Sequence, residues 1–185
     1  MSCKQYLSRA FFLVIGGILL SPLNTFAGTL TNISVVGGST APSATTTYTV
    51  SFTTENAVPS GIFSAFYMTM NYSLGGNNFN FDSVGDADVT LTVNGVSRAI
   101  VDVATSGTVL NIYPSGSIPA GANLVFVVND VVNPNTAGSY GFYDFRTRTT
   151  GTDPIDTGSP SSIVIVNPDT TTQAPTLTSP TSTST

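Results

Sequence analysis

From Leu30 to Val166 apolar and polar side chains alternate along the chain, and clusters of Gly, Pro, Asn and Asp separate the alternating stretches. A period of two sends successive side chains to opposite faces of an extended strand, so the pattern predicts half-buried strands. No stretch carries the spacing of an amphipathic helix. In Thr47-Tyr48-Thr49-Val50-Ser51-Phe52-Thr53 the side chains of Tyr48, Val50 and Phe52 share one face and the hydroxyls take the other. Phe66 to Tyr72 repeats the pattern, and Val89 to Val93 repeats it again before Asn94-Gly95. Asn-Gly accepts positive φ at both central positions, which predicts a two-residue type I′ hairpin with Val93 opposite Val96 and Arg98 opposite Leu91. Either a bulge or an edge position has to accommodate that arginine.

Further strands are predicted at Leu30 to Val36, Val109 to Ile112, Leu124 to Val132, Ser139 to Thr149 and Ser162 to Val166. Leu124-Val125-Phe126-Val127-Val128 is apolar on both faces, which predicts a central strand covered on both sides. Gly37-Gly38, Pro59-Ser60-Gly61, Gly75-Gly76, Pro114-Ser115-Gly116, Pro119-Ala120-Gly121 and Asn133-Pro134-Asn135 carry turn chemistry. About eight to ten short strands between such turns indicate an all-β fold of two packed antiparallel sheets.

The N-terminus changes the picture, because Lys4 and Arg9 precede an apolar run at residues 11–20 and Thr25-Phe26-Ala27 offers small residues for a cut. This reads as a secretory signal over residues 1–27, with the mature chain starting at Gly28. The apolar run falls short of the roughly 20 residues that a helix needs to cross a bilayer, so no transmembrane segment is expected after signal removal. Residues 28–168 are expected to form one sandwich domain. From 169 to 185 most residues are Thr, Ser or Pro, too poor in apolar area to offset the entropy of ordering, which predicts a disordered tail or linker.

Signal removal takes away the chain's only cysteine, Cys3, and its only lysine, Lys4, and the sequence has no histidine. The sandwich therefore folds without disulfides or Lys-Asn crosslinks, and the commonest general base and metal ligand is missing. Ten acids against Arg98, Arg146 and Arg148 leave an anionic body that cannot displace counterions from phosphates, so no nucleic-acid partner is expected. The same charge disfavours anionic lipid surfaces.

The segments Thr46-Thr47-Tyr48-Thr49-Val50-Ser51-Phe52-Thr53-Thr54, Ile118-Pro119-Ala120-Gly121 and Val131-Val132-Asn133-Pro134-Asn135-Thr136-Ala137-Gly138-Ser139-Tyr140 together resemble a repeat of large prokaryotic surface proteins. Over about residues 40–149 the chain is similar to the immunoglobulin-like β-sandwich modules of S-layer and surface-adhesin chains. That resemblance implies an extracellular immunoglobulin-like sandwich serving as spacer, lattice element or adhesive module, and it brings no catalytic residues. The chain departs from the family's tandem arrays in carrying the module once.

Three carboxylates, Asp82, Asp86 and Asp88, surround a Gly turn and are candidate ligands for calcium, which takes several hard oxygen donors. The alternative is a solvated polar loop, since the EF-hand spacing and its closing Glu are absent. No other cofactor is expected. Asp153 and Asp156 flank Pro154 and form the one acid pair that could serve a carboxylate hydrolase, against the simpler reading of an ordinary turn. Among Tyr67, Tyr72, Phe79, Phe81, Tyr113 and Tyr143, most are expected in the core. Tyr67 and Phe79 fall out of step with the apolar face or beside Asn-rich loops, which makes them the candidate partner-binding aromatics. Asn32-Ile33-Ser34 and Asn71-Tyr72-Ser73 match the N-glycosylation acceptor pattern within predicted strands.

These observations lead to the expectation of a secreted, non-catalytic module at the cell surface, structural or adhesive, binding a protein or a glycan. The alternative is a self-assembling filament or lattice subunit joined to further copies of itself by strand addition at an exposed edge or at Leu30 to Val36, since the chain has almost no lysine to blunt a sheet edge. A hydrolase using Asp153 and Asp156 ranks last.

Overall fold

The computed structural model describes residues 27–60, 65–70, 78–149 and 153–168. The expected leader up to residue 26, the tail from residue 169, Tyr72 and the Asn71 acceptor lie outside the described residues. Strands, numbered in chain order, form two sheets and a small ribbon. The six-stranded sheet runs β1 (Gly28–Thr29), β12 (Pro154–Thr157), β11 (Phe142–Arg148), β4 (Ala65–Met70), β8 (Val109–Pro114) and β7 (Ile100–Ser106). The five-stranded sheet runs β2 (Thr31–Gly37), β3 (Thr45–Thr53), β9 (Asn123–Val132), β5 (Val89–Val93) and β6 (Val96–Arg98). The ribbon pairs β10 (Gly138–Tyr140) with β13 (Ile163–Ile165). All pairings are antiparallel except β1 with β12. The all-β sandwich expected from the alternation is the fold.

Alternation on β3 buries Tyr48, Val50 and Phe52 while Thr49, Ser51 and Thr53 take the other face. Phe52 stacks on Phe66 at 5.1 Å and on Phe126 at 6.0 Å, and Phe145 meets Phe52 edge-on at 5.5 Å. Two of these rings come from each sheet, so one aromatic cluster joins the layers, with the area burial and ring geometry that dominate core energetics. The Asn94-Gly95 turn has φ of 52° and 78°, and β5 pairs β6 with Val93 opposite Val96 and Leu91 opposite Arg98. The edge position of β6, without a bulge, accommodates Arg98, whose Nη1 donates to the Ser115 carbonyl at 3.3 Å.

Four local readings need correction. Ser139 to Thr149 is not one strand: the chain changes sheets at Gly141, leaving β10 in the ribbon and β11 in the six-stranded sheet. The segment read as an acidic turn around Pro154 is β12, with proline at the first position of a strand, where its missing N–H is tolerated. The strand β7 escapes the alternation because a register shift between Ile100 and Asp102 breaks the period and leaves Val101 half exposed. Finally, β9 is central in its sheet but not covered on both sides: Val125 and Val127 are half-buried on the outer face, flanked in register by Ser51 and Thr92 and by Thr49 and Thr90.

Neighbouring the core, Asn133 is a buried amide with every donor used. Its Nδ2 donates to the carbonyls of Ser39 and Ala41 at 3.0 and 2.9 Å, and its Oδ1 accepts from the Tyr48 hydroxyl at 2.7 Å. Burial pushes the Tyr48 hydroxyl well above the usual phenol range.

Candidate functional site

The Asp82–Asp88 carboxylates do not converge. Asp82 Oδ1 accepts from the Gly107 N–H at 2.6 Å, Asp86 Oδ1 from the Val103 N–H at 2.7 Å, and Asp88 Oδ2 from the Gly85 N–H at 2.9 Å. Among the described residues no group of three acids is placed to hold a metal ion. The loop is instead a clasp: Asp86 takes a backbone donor of the edge strand β7, and Phe81 and Asp82 hold Gly107 in the turn that follows it. A polar loop that satisfies an edge strand's N–H groups removes a template for unwanted pairing.

Asp153 and Asp156 do not converge either. Asp153 is exposed and lines a shallow cleft of about 480 Å³ with Asn56, Ala57, Pro59, Thr149, Pro154 and Ile155. Asp156 turns inward with 0 % exposure and accepts from Asn56, by the backbone N–H at 3.1 Å and by Nδ2 at 2.9 Å. Its backbone N–H donates to the buried Thr147 hydroxyl at 3.2 Å.

Of the two candidate aromatics, Phe79 is in the core, 2 % exposed, edge-on to Tyr48 at 5.6 Å and to Tyr140 at 5.7 Å. Its flanking asparagines misled: Asn80 pairs by backbone bonds with Val132, which turns Phe79 and Phe81 together onto the apolar face. Tyr67 is half-buried on the outer face of the six-stranded sheet. Tyr113 shares that face, and Tyr143 is 81 % exposed at the bulge of β11.

Around Tyr67 the sheet builds a polar, aromatic surface. Register places Thr157, Arg146, Tyr67, Asn111 and Ala104 in one row across β12, β11, β4, β8 and β7. Arg146 and Arg148, two apart on β11, share a face, and their guanidinium carbons lie 4.9 and 4.6 Å from the Tyr67 ring centroid. Stacking on the ring's negative face stabilises each cation and holds the ring. Arg146 pairs with Asp144 at 3.1 Å, whereas Arg148 donates to the neutral Asn111 Oδ1 at 2.6 Å. Among the described residues three buried side-chain polar atoms lack a partner: Thr69 Oγ1, Arg146 Nε and Arg148 Nε. All three belong to this one face. Buried polar atoms are normally satisfied, so their concentration here sets this face apart from the rest of the described residues. The sequence carried a signal for it, since Asp144, Arg146 and Arg148 alternate with the buried Phe145 and Thr147 and hold two of the three arginines after residue 27.

The fold is thus a two-sheet β-sandwich with a cationic, aromatic patch on one outer face. No family model matches the chain, and no curated protein matches it. Among solved structures, that of BslA, a bacterial hydrophobin, is similar over 76 % of this chain and 98 % of that one, at 15 % identity and a TM-score of 0.39.

Proposed function

We propose that the chain is a secreted, non-catalytic module of the cell surface, structural or adhesive, which takes a glycan on the outer face of its six-stranded sheet. The supporting observation is the Tyr67 patch, where two guanidiniums and an amide present planar polar groups around a half-buried ring. Sugar hydroxyls and carboxylates are bidentate partners for such donors, and arginine offers them in a fixed fork. The immunoglobulin-like surface-protein resemblance fits the same role. The test is co-sedimentation or calorimetric titration with bacterial polysaccharides for residues 28–185 and for Arg148→Ala. Binding weakened about tenfold or more by the substitution supports the reading. Polysaccharide binding that Arg148→Ala and Tyr67→Ala leave unchanged removes the patch from it.

A second reading rests on a different observation. The edge strand β2 is uncharged along Thr31–Gly37, and Val36 is 60 % exposed. No backbone bond outside the β2–β3 ladder involves residues 31–37 among the described residues. Such an edge suits strand addition by a second copy. Light scattering across a wide concentration range decides: a ladder abolished by Val35→Pro supports assembly, and a monomer throughout removes it.

A further inference from the structure

We propose that the buried carboxylate of Asp156 is the counter-ion of the α-ammonium that cleavage after Ala27 creates on Gly28, so that export processing locks β1 onto β12. The inference rests on the secretory part of the function proposed above.

The expected cut falls at the first residue of β1, and register sets Gly28 directly beside Asp156. Gly28 is itself buried. A Cβ on Gly28 would overlap Asn56 Nδ2 and Asp156 Oδ1, and Glu55 Oε2 is 3.0 Å from the same point. The next residue repeats the theme, since the Thr29 N–H donates to Glu55 Oε2 at 2.5 Å. Two carboxylates thus close on the backbone of residues 28 and 29.

No side-chain cation answers them. Among the described residues the one side-chain ion pair joins Arg146 to Asp144. Asp156 is 0 % exposed, and its side-chain oxygens accept from Asn56 groups, which are neutral. A buried ionised carboxylate with neutral donors alone is costly, and an opposite charge at contact offsets that cost. Hydrolysis of the Ala27–Gly28 peptide bond adds one water and leaves a carboxylate on Ala27 and an ammonium on Gly28. A neutral amide nitrogen with one donor thereby becomes a cation with three, on the residue whose α-carbon the Asp156 and Glu55 side chains approach. Glycine suits this site, because a side chain on the new terminus would make the Asn56 and Asp156 side chains shift.

Residues 28–185 contain no lysine, so the α-amine is the single amine of the processed chain and can be labelled selectively. Sequencing the N-terminus of the protein recovered outside the cell comes first. A first residue other than Gly28 overturns the processing step, whatever the glycan experiments give. Next, a fusion cut by a protease that leaves Gly28 first is treated with an amine-reactive ester. The expected result is labelling at least about tenfold slower in the folded chain than in urea, as for a group that must open locally to react. Acetylation before refolding, or a retained extension, lowers the melting temperature by roughly 5 °C or more. In Asp156→Asn the free and acetylated chains melt together. If that variant does not fold, Glu55→Gln and the acetylated wild-type chain carry the comparison. Equal labelling folded and unfolded, with equal melting of free, acetylated and extended chains, overturns the ion pair and leaves Asp156 as a cap for the Asn56 segment.

Discussion

The loop at Asp82–Asp88 and the strand around Asp156 are both short acidic stretches beside turn residues, and they end in opposite surroundings. The loop's carboxylates sit at the surface, each accepting a backbone N–H from the β7 border or from the loop itself. Asp156 lies inside the sandwich, its oxygens held by Asn56 and its own N–H by Thr147. In both places an acid that resembles a ligand or a catalyst is an acceptor for neutral protein donors. The difference is what each one costs to lose. A surface acceptor is readily replaced by water, whereas the loss of a fully buried one also leaves a void and unfastens the segment it holds.

That contrast is sharpest on substitution. Asp156→Ala is expected to destabilise the fold by about 2 kcal/mol in urea titration, because it removes a fully buried acceptor that fastens the Asn56 segment to β12 through two hydrogen bonds. A loss below about 1 kcal/mol would place Asp156 with the surface acids. Tyr48→Phe tests a buried polar group without charge, and should cost about 1–2 kcal/mol by leaving Asn133 Oδ1 without its donor. The same variant carries a pH signature. Since burial raises the Tyr48 pKa, the folded chain keeps a proton that the unfolded chain releases from about pH 10 upward. The stability so contributed is complete below that pH and falls as pH rises through the folded value. Tyr48→Phe should flatten this alkaline decline in a pH series of melting curves.

On the exposed side, Asp86→Ala and Asp82→Ala are each expected to cost about 1 kcal/mol, the range of a lost cap. Hydrogen exchange should show Val103 and Gly107 losing protection first. Calcium should leave the melting temperature unchanged, since the carboxylates are turned to three separate backbone donors. A shift on calcium addition, absent in Asp86→Ala, would reinstate the loop as a site. The smallest effect is expected at the open edge, where Val36→Lys should change monomer stability by under about 0.5 kcal/mol while suppressing any self-association.

The contrast between borders bears on the two readings of function. The Asp82–Asp88 loop occupies one border of the six-stranded sheet, while β2 leaves its own border uncharged and without a further backbone partner among the described residues. The Tyr67 patch is on a face, not a border, so glycan binding and strand addition would not compete for the same groups.

Much of the sandwich was legible because alternation reports directly which side of a strand is buried. Tyr48, Val50 and Phe52 on β3, and Leu91 and Val93 before Asn94-Gly95, needed only period two and one turn rule to place. Where the period is broken by a bulge, as in β7, or hidden by Pro and Asp, as in β12, the same reasoning sees a turn. Phe79 was lost to its polar neighbours, although Phe79-Asn80-Phe81 itself alternates. Of the candidate site, Tyr67 could be singled out from its strand position, but Arg146, Arg148 and Asn111 come from strands distant in sequence.

Composition, alternation and turn chemistry alone determined an all-β chain with its inward residues, the I′ hairpin and its register. Those are local properties, set by side-chain direction and backbone φ within a few residues. The tertiary structure decided which strands are neighbours, and so that Asp156 meets Gly28 and Asn56 and that Tyr67 meets two arginines. Pairing depends on which sheet edge a strand reaches after long connections, and no local pattern carries that information.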